Sequence, residues 1–397
     1  MAEKKQGLSI FFPDKVLKKI KNAAAYILII CLLSSPLTMT ANAAPGTKAR
    51  SAVLYEAETD TFLFTKNPDE RLPIASITKI MTALVVLENC NPEEHVQFKR
   101  QWALTEGSSS GFREGGWYTV RQLLYALMLA SGNDAAVALA CHAAGSVENF
   151  ARLMNRKASE LGMTNSCFKN PHGLDEKGHY STATDMAKLA AAAMKNEQFV
   201  ILSSTKDVKI GKYRFSNHNK LLWKYPNVVG VKTGYTSAAG RTLVTCVKKK
   251  GMTLICVTLN DSDDWNDHIS LFDWAGANYK IYTLDSRGGV GSLPVISGEK
   301  ESALLKSERD VKLLLNSGDE VETEISLPRF AYAPVSEYEK AGEVHILVNG
   351  KKVDTVQILY SESVPVDPAV PLTFWEKVKW SWRLSNQYMD ARYFLMY

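Results

Sequence analysis

Apolar positions divide the chain into stretches of different period. Between 76 and 195 they recur every three or four residues, which predicts helices over 76–88 (SITKIMTALVVLE), 119–130, 134–144, 147–161 and 183–195. On either side the pattern becomes that of strands. Residues 50–55 and 61–65 flank the polar turn 56–60, and 228–233, 241–248 and 252–259 follow later, the last two joined at Lys250-Gly251. One more helix is predicted over 266–281. Strands at both ends with helices between them imply one α+β domain, its sheet closed by the two ends of the region. Past residue 285 short alternating segments (310–315, 320–327, 343–348, 353–359) separated by Gly, Asn and Asp turns predict a small β-rich domain.

The two termini have textures of their own. Lys15, Lys18, Lys19 and Lys21 precede an apolar stretch, Ala23 to Leu33, that is short for a membrane span, and Ala41-Asn42-Ala43 gives a small-x-small cleavage pattern. Residues 1–43 therefore read as a signal peptide, which places the mature chain outside the cytoplasm. At the other end Pro365, Pro368 and Pro371 form a stiff linker to the tail PLTFWEKVKWSWRLS. On a helix Trp375, Val378 and Trp382 share one face, and Lys377, Lys379 and Arg383 supply charge, as in an amphipathic segment lying on a membrane surface. The expected organisation is 1–43 signal, 44–284 α+β domain, 285–364 β-rich domain, and 365–397 linker and membrane-surface tail.

Charge and cysteine narrow the function classes. Six Lys stand against Glu3 and Asp14 in residues 1–43, so four of the five net positive charges lie there. The mature chain is close to neutral and has no concentrated basic run, so nucleic-acid binding is set aside. With Cys31 in the signal, Cys90, Cys141, Cys167, Cys246 and Cys256 remain, an odd number at irregular spacing that forms no disulfide framework. Cys246 and Cys256 could face each other across a hairpin, though two buried thiols fit better. No Cys-x-x-Cys or His-Glu-x-x-His spacing suggests a metal, and no cofactor is expected.

Three short motifs carry candidate chemistry. Ser76-Ile77-Thr78-Lys79 opens a predicted helix, and positions i and i+3 share a face, so the amine can reach the hydroxyl. Serine needs a base to become a nucleophile, and lysine serves only where burial and neighbouring charge lower its pKa. Ser131-Gly132-Asn133 lies between two helices. It reads either as an ordinary turn or as a site element, with Ser131 bridging the protons of Lys79 and Lys232 and Asn133 donating its amide to a substrate carbonyl. Lys232-Thr233-Gly234 lies on a strand: Gly234 allows close backbone approach, Lys232 and Thr233 could hold a carboxylate, and the Tyr235 N–H could join that of Ser76 in an oxyanion hole. Each motif alone is weak. Ser-x-x-Lys, Ser-x-Asn and Lys-Thr-Gly in that order form the combination of class A β-lactamases and penicillin-binding proteins.

On these motifs and the longer strings PIASITKIMTAL, ASGNDAAVALA, NPHGLD, STATDMAKLA and VVGVKTGYTSAAGRTLV, residues 48–285 resemble the low-molecular-weight penicillin-binding D-Ala-D-Ala carboxypeptidases of serine peptidase family S11. The resemblance implies an acyl-enzyme on Ser76 and Lys79 as base, with Ser131 and Asn133 completing the proton network. Lys232, Thr233, Gly234 and Tyr235 would line the substrate strand. The implied substrates are peptidoglycan stem peptides, β-lactams would acylate the same serine, and the place of action is the outer face of the cytoplasmic membrane. The segment after 285 resembles the family's second domain and the tail its membrane anchor.

Two departures matter. Some members carry an arginine shortly after the last long strand that helps hold the substrate carboxylate; here the stretch is LNDSDDWNDHIS, without arginine. Its DDWNDH string is similar to sporulation-type members, which points to spore cortex. His172 and Asp175 in NPHGLD are expected to build a structural loop, as are His142, Asn165 and Cys167. The competing readings are a class A-like β-lactamase, for which the Glu-containing loop motif is missing, a D,D-endopeptidase, and a non-catalytic penicillin-sensing or wall-binding protein.

Overall fold

A computed structural model describes residues 43–285 and 289–368. The expected signal, residues 1–43, and the tail from 369 therefore fall almost wholly outside the described residues. The first hairpin pairs β1 (Ser51–Glu56) with β2 (Thr61–Lys66). A 3-10 turn, Ala75–Thr78, then leads into α1 (Lys79–Asn89). Next come β3 (His95–Gln97), α2 (Arg100–Ala103), β4 (Trp117–Thr119), α3 (Val120–Met128), α4 (Asn133–Ala144) and α5 (Val147–Glu160). After α6 (Ala183–Ala193) and α7 (Glu197–Ser204), the hairpin β5 (Asp207–Ile210) and β6 (Tyr213–Ser216) precedes the short α8 (Leu221–Lys224). The region closes with β7 (Val228–Thr236), β8 (Gly240–Lys249), β9 (Met252–Leu259) and α9 (Asp264–Asn278).

The five-stranded sheet has the order β2-β1-β9-β8-β7 and is antiparallel throughout. N-terminal and C-terminal strands thus pair, as the sequence pattern requires. Successive side chains point to opposite faces. Val53, Val244 and Val257 meet the helical layer through Ile80, Met81, Leu123 and Phe150, whereas Leu54, Leu254 and Cys256 meet Leu271, Phe272 and Ala275 of α9. Cys246 belongs to the first face and Cys256 to the second, so they cannot bridge; the five cysteines among the described residues are free thiols.

α1 is the pivot of the helical layer. Ile80 to Val86 are buried on every side, the mark of a central helix. Each large apolar side chain there contributes roughly 1.5–3 kcal/mol. The polar residues that precede α1 are therefore carried into the interior.

Helix starts mostly follow local chemistry. Thr119 caps α3 in a reciprocal box with Gln122, and Ser146, Thr182 and Asn196 cap α5, α6 and α7. Two expectations shift. The helix expected from 76 starts at Lys79, because Ser76 makes no capping bond and lies in the 3-10 turn. The last helix stops at Asn278, because 279–281 enter β10 (Tyr279–Leu284), which is zipped to a strand of the next domain.

That domain contains β11 (Gly291–Ile296), β12 (Ser302–Ser307), β13 (Val311–Asn316), β14 (Val321–Ser326), β15 (Ala331–Tyr332), β16 (Lys340–Val348) and β17 (Lys351–Tyr360). β10 pairs with β13, and the other six form one sheet around Leu293, Val295, Leu305, Val344, Ile346, Val356 and Ile358. Lys312 forms an ion pair with Glu58 of the first domain.

Candidate active site

The three motifs converge where α1, α4 and β7 meet. Lys79 Nζ lies 2.8 Å from Ser76 Oγ, 2.7 Å from Asn133 Oδ1 and 2.8 Å from the carbonyl oxygen of His172. Lys79 is fully enclosed while Ser76 is partly exposed, so the amine is dry and the hydroxyl reachable. Burial, then the nearby Lys232 cation, hold the Lys79 amine well below its ordinary pKa, with Asp134 opposing. A neutral amine has two N–H groups and one lone pair. An amide oxygen and a carbonyl oxygen can only accept, so the two N–H groups go to Asn133 and His172, and the lone pair faces the Ser76 hydroxyl.

The Asn133 amide has a fixed orientation. Its Nδ2 donates to the carbonyl of Glu106 at 2.6 Å, which turns Oδ1 toward Lys79. The expected donation from Asn133 to a substrate carbonyl is thus partly spent within the chain. The loop before β4 that supplies Glu106 is held by Asp134, which is buried and accepts from Ser109 Oγ, Ser110 Oγ and Ser110 N. Ser108 O in turn accepts the Asn133 N–H at 2.7 Å.

Ser131 sits in the left-handed region at φ 60°. Its Oγ accepts from Lys232 Nζ at 3.1 Å, whereas Lys79 makes no bond to it, so the expected bridge is formed on the Lys232 side. Lys232 also donates to Thr233 O at 2.8 Å, and burial lowers its pKa to about 7. Thr233 is half-buried and Tyr235 exposed, along an edge strand.

Gly234 makes room for a neighbouring turn of the chain itself. A Cβ there would stand 2.9 Å from Ser76 N, 3.1 Å from Ile77 N and 2.5 Å from Thr242 Oγ1. The close approach it permits is that of the Ser76 turn. Thr242 Oγ1 donates to Ile74 O at 3.0 Å and ties strand and turn together.

The NPHGLD loop is structural, as expected, yet one of its backbone groups enters the site. Thr82 Oγ1 donates to Pro171 O at 2.6 Å, and Asn170 Oδ1 accepts the Gly173 N–H at 2.7 Å. Gly173 has φ 87°, and a Cβ on it would meet Ala75 O at 1.9 Å. The His172 carbonyl is thereby fixed on Lys79. The imidazole itself, its pKa lowered by burial to about 3, accepts the Leu174 N–H and is neutral. Asp175 accepts from Thr236 Oγ1 at 2.8 Å and links the loop to β7. The loop also lines a hollow of about 270 Å³ with Pro73 and Ala238, to which neither Ser76 nor Lys79 contributes.

Sequence reasoning missed Asp134 and the carbonyls of Glu106 and His172. An Asp in the first turn of α4, downstream of the run SSSG, is the one available signal for the former. Backbone carbonyls carry no residue-type signal. Among the described residues no group of three or more His, Cys, Asp or Glu is arranged to hold a metal.

Comparison with known proteins identifies the family of both domains. The D-alanyl-D-alanine carboxypeptidase family of peptidases (S11) matches residues 38–263, and the penicillin-binding protein 5 C-terminal domain matches 279–366. D-alanyl-D-alanine carboxypeptidase DacF of Bacillus subtilis is 35% identical, covering 77% of this chain and 82% of its own. DacC of Escherichia coli is 32% identical over 81% and 85%. Among solved structures, penicillin-binding protein 5 of Haemophilus influenzae superposes with a TM-score of 0.64 at 30% identity, covering 81% of this chain and 98% of its own. The chain is a member of the S11 family of serine D-alanyl-D-alanine carboxypeptidases, with the penicillin-binding protein 5 type of C-terminal domain behind its enzyme domain.

Proposed function

We propose that the chain removes the terminal D-Ala from peptidoglycan stem peptides through an acyl-enzyme on Ser76. The observation that carries this reading is the contact set of Lys79: two obligatory acceptors take its N–H groups, and a depressed pKa leaves a lone pair for the Ser76 proton. Ser76 Oγ attacks the carbonyl of the penultimate D-Ala as its proton passes to Lys79. The N–H groups of Ser76 and Tyr235 receive the oxyanion; the contact between Gly234 and the Ser76 turn brings these two backbone segments side by side. That proton passes from Lys79 through the Ser131 hydroxyl, held by Lys232, to the leaving amine; Lys79 is neutral again and terminal D-Ala departs. Water then attacks the acyl carbon, Lys79 again acting as base, and Ser76 is regenerated. β-Lactams enter the first half of this cycle and stay on the serine.

The sequence supports an exported protein: residues 1–43 a cleaved signal, 44–284 the enzyme domain, 285–364 the β-rich domain, and 365–397 a linker and tail on the outer face of the membrane. The DDWNDH string favours spore cortex as the wall that is trimmed.

Mass spectrometry after penicillin treatment tests the nucleophile. A covalent adduct on the wild type, absent from Ser76→Ala, with D-Ala release from a peptide ending in D-Ala-D-Ala, is the expected result. Rapid multiple turnover of a chromogenic cephalosporin would instead identify a β-lactamase. Labelling without D-Ala release would identify a sensor.

A further inference from the structure

A substrate that ends in D-Ala brings a carboxylate into a groove where water is partly excluded. An anion there needs a charged, well-oriented donor. Neither site lysine meets the need. The contacts of Lys79 are spent on Ser76, Asn133 and His172, and Lys232 is enclosed and committed to Ser131 and Thr233 O. Burial also disfavours the charged form of both amines. Arginine keeps its charge in such surroundings and presents a planar fork that matches a carboxylate.

The register of β7 and β8 supplies one. Gly234 is paired with Thr242 and turned toward Ser76, so Thr233 and Tyr235 turn to the other face, with Leu243 and Arg241 opposite them. Arg241 is therefore the diagonal neighbour of Thr233 on one face, a spacing within reach of a long side chain. The Thr233 hydroxyl makes no hydrogen bond within the described residues. The Arg241 side chain is 43% exposed, and its Nε has no partner.

Arg241 is also held in place. One terminal nitrogen is bonded to Asp264, which is buried, and the guanidinium lies over the Trp265 ring at 5.5 Å. Both residues belong to LNDSDDWNDHIS, the stretch that has no arginine of its own. That stretch orients an arginine supplied by the neighbouring strand.

We propose that Arg241, together with the Thr233 hydroxyl, binds the terminal carboxylate of the substrate and makes the enzyme selective for free chain ends. The proposal rests on the carboxypeptidase reading of Ser76.

The test compares D-Ala release by the full chain from a peptide ending in D-Ala-D-Ala with release of alaninamide from the same peptide amidated at its C-terminus. Arg241→Gln is expected to lower kcat/KM on the acid roughly 10- to 100-fold, chiefly through KM. On the amide the change should stay within about twofold. The preference for acid over amide then collapses, which a purely structural role for Arg241 would not cause. Stoichiometric penicillin labelling of Arg241→Gln after long incubation establishes that the variant is folded. If the variant labels but acts on acid and amide with the wild-type ratio, Arg241 does not hold the carboxylate and the Ser76 reading stands. If the wild type neither labels nor releases D-Ala, both readings fall.

Discussion

Gly234 and Ser76 touch backbone to backbone: a methyl group on Gly234 would stand 2.9 Å from Ser76 N, closer than a Cβ comes to non-bonded atoms. The Ser76 turn and β7 are thus positioned by direct contact. The absence of a side chain at one residue sets the height of the other.

Gly234→Ala forces these two segments apart. Overpacking of this kind costs about 1–3 kcal/mol of stability. A displacement of the order of 1 Å at the reacting atoms costs about 100-fold in rate. The expected outcome is a second-order rate constant for penicillin acylation lowered on that scale, with a melting temperature reduced by a few degrees. Unchanged acylation would mean that Ser76 does not depend on β7.

The pH profile should be bell-shaped. Lys79 must be neutral to accept the Ser76 proton, so activity falls on the acid side as it becomes protonated, at a pH well below the usual lysine range. Lys232, with its pKa near 7, loses its charge on the alkaline side. The two limbs belong to the coupled pair and are read as apparent values. Stability shifts in one direction. Both lysines bind protons more weakly folded than unfolded, so the unfolded chain takes up protons and stability rises with pH from about 7 toward 10. Denaturant midpoints across that range check the sign.

Asp134→Asn separates charge from architecture. The Asp134 carboxylate raises the Lys79 pKa against the effect of burial, so its removal lowers that pKa further and moves the acid limb to lower pH. The variant also weakens the bonds to Ser109 and Ser110, and a loss of roughly 1–3 kcal/mol follows. A kcat/KM profile with an unmoved acid limb would remove Asp134 from the electrostatics of the site.

Gly173→Ala should be far harsher than its position in a loop suggests. The residue combines φ 87° with a Cβ position 1.9 Å from Ala75 O. No side chain fits without moving the loop, and the His172 carbonyl leaves Lys79 with it. A loss of about 3 kcal/mol or more in urea denaturation is expected, with penicillin labelling abolished.

Deleting residues after Pro371 should release the protein from membranes and leave D-Ala release intact. Fractionation of the truncated protein is the check, and persistence in the membrane fraction would refute the tail as anchor.

That Ser76, Lys79 and Asn133, and Ser131 and Lys232, come together was legible because their candidate chemistry is written in side chains at spacings that helices and strands translate into position. The sheet was legible for a similar reason, since 50–55 and 228–259 share the pattern of strands. Less could be read where the work is done by backbone. The carbonyls of Glu106 and His172 set the direction of the Lys79 lone pair, yet any residue type has such a carbonyl. The 3-10 turn at Ser76 also escapes periodicity, because four residues are too few to show a period. The end of α9 escapes because the competing pull on Tyr279 comes from β13, over thirty residues later.

β7 closes the sheet on one side, and its two halves differ. Near Gly230 it is covered by α7, where Ser203 Oγ donates to Val229 O at 3.1 Å and a Cβ on Gly230 would stand 2.9 Å from the Ser203 Cβ. From Lys232 to Thr236 the outer edge runs beside Ser76. A peptide laid along that second half can continue in one direction only, since in the other it meets the helix. A groove blocked at one end distinguishes the terminus of a polymer from its interior before any bond is broken.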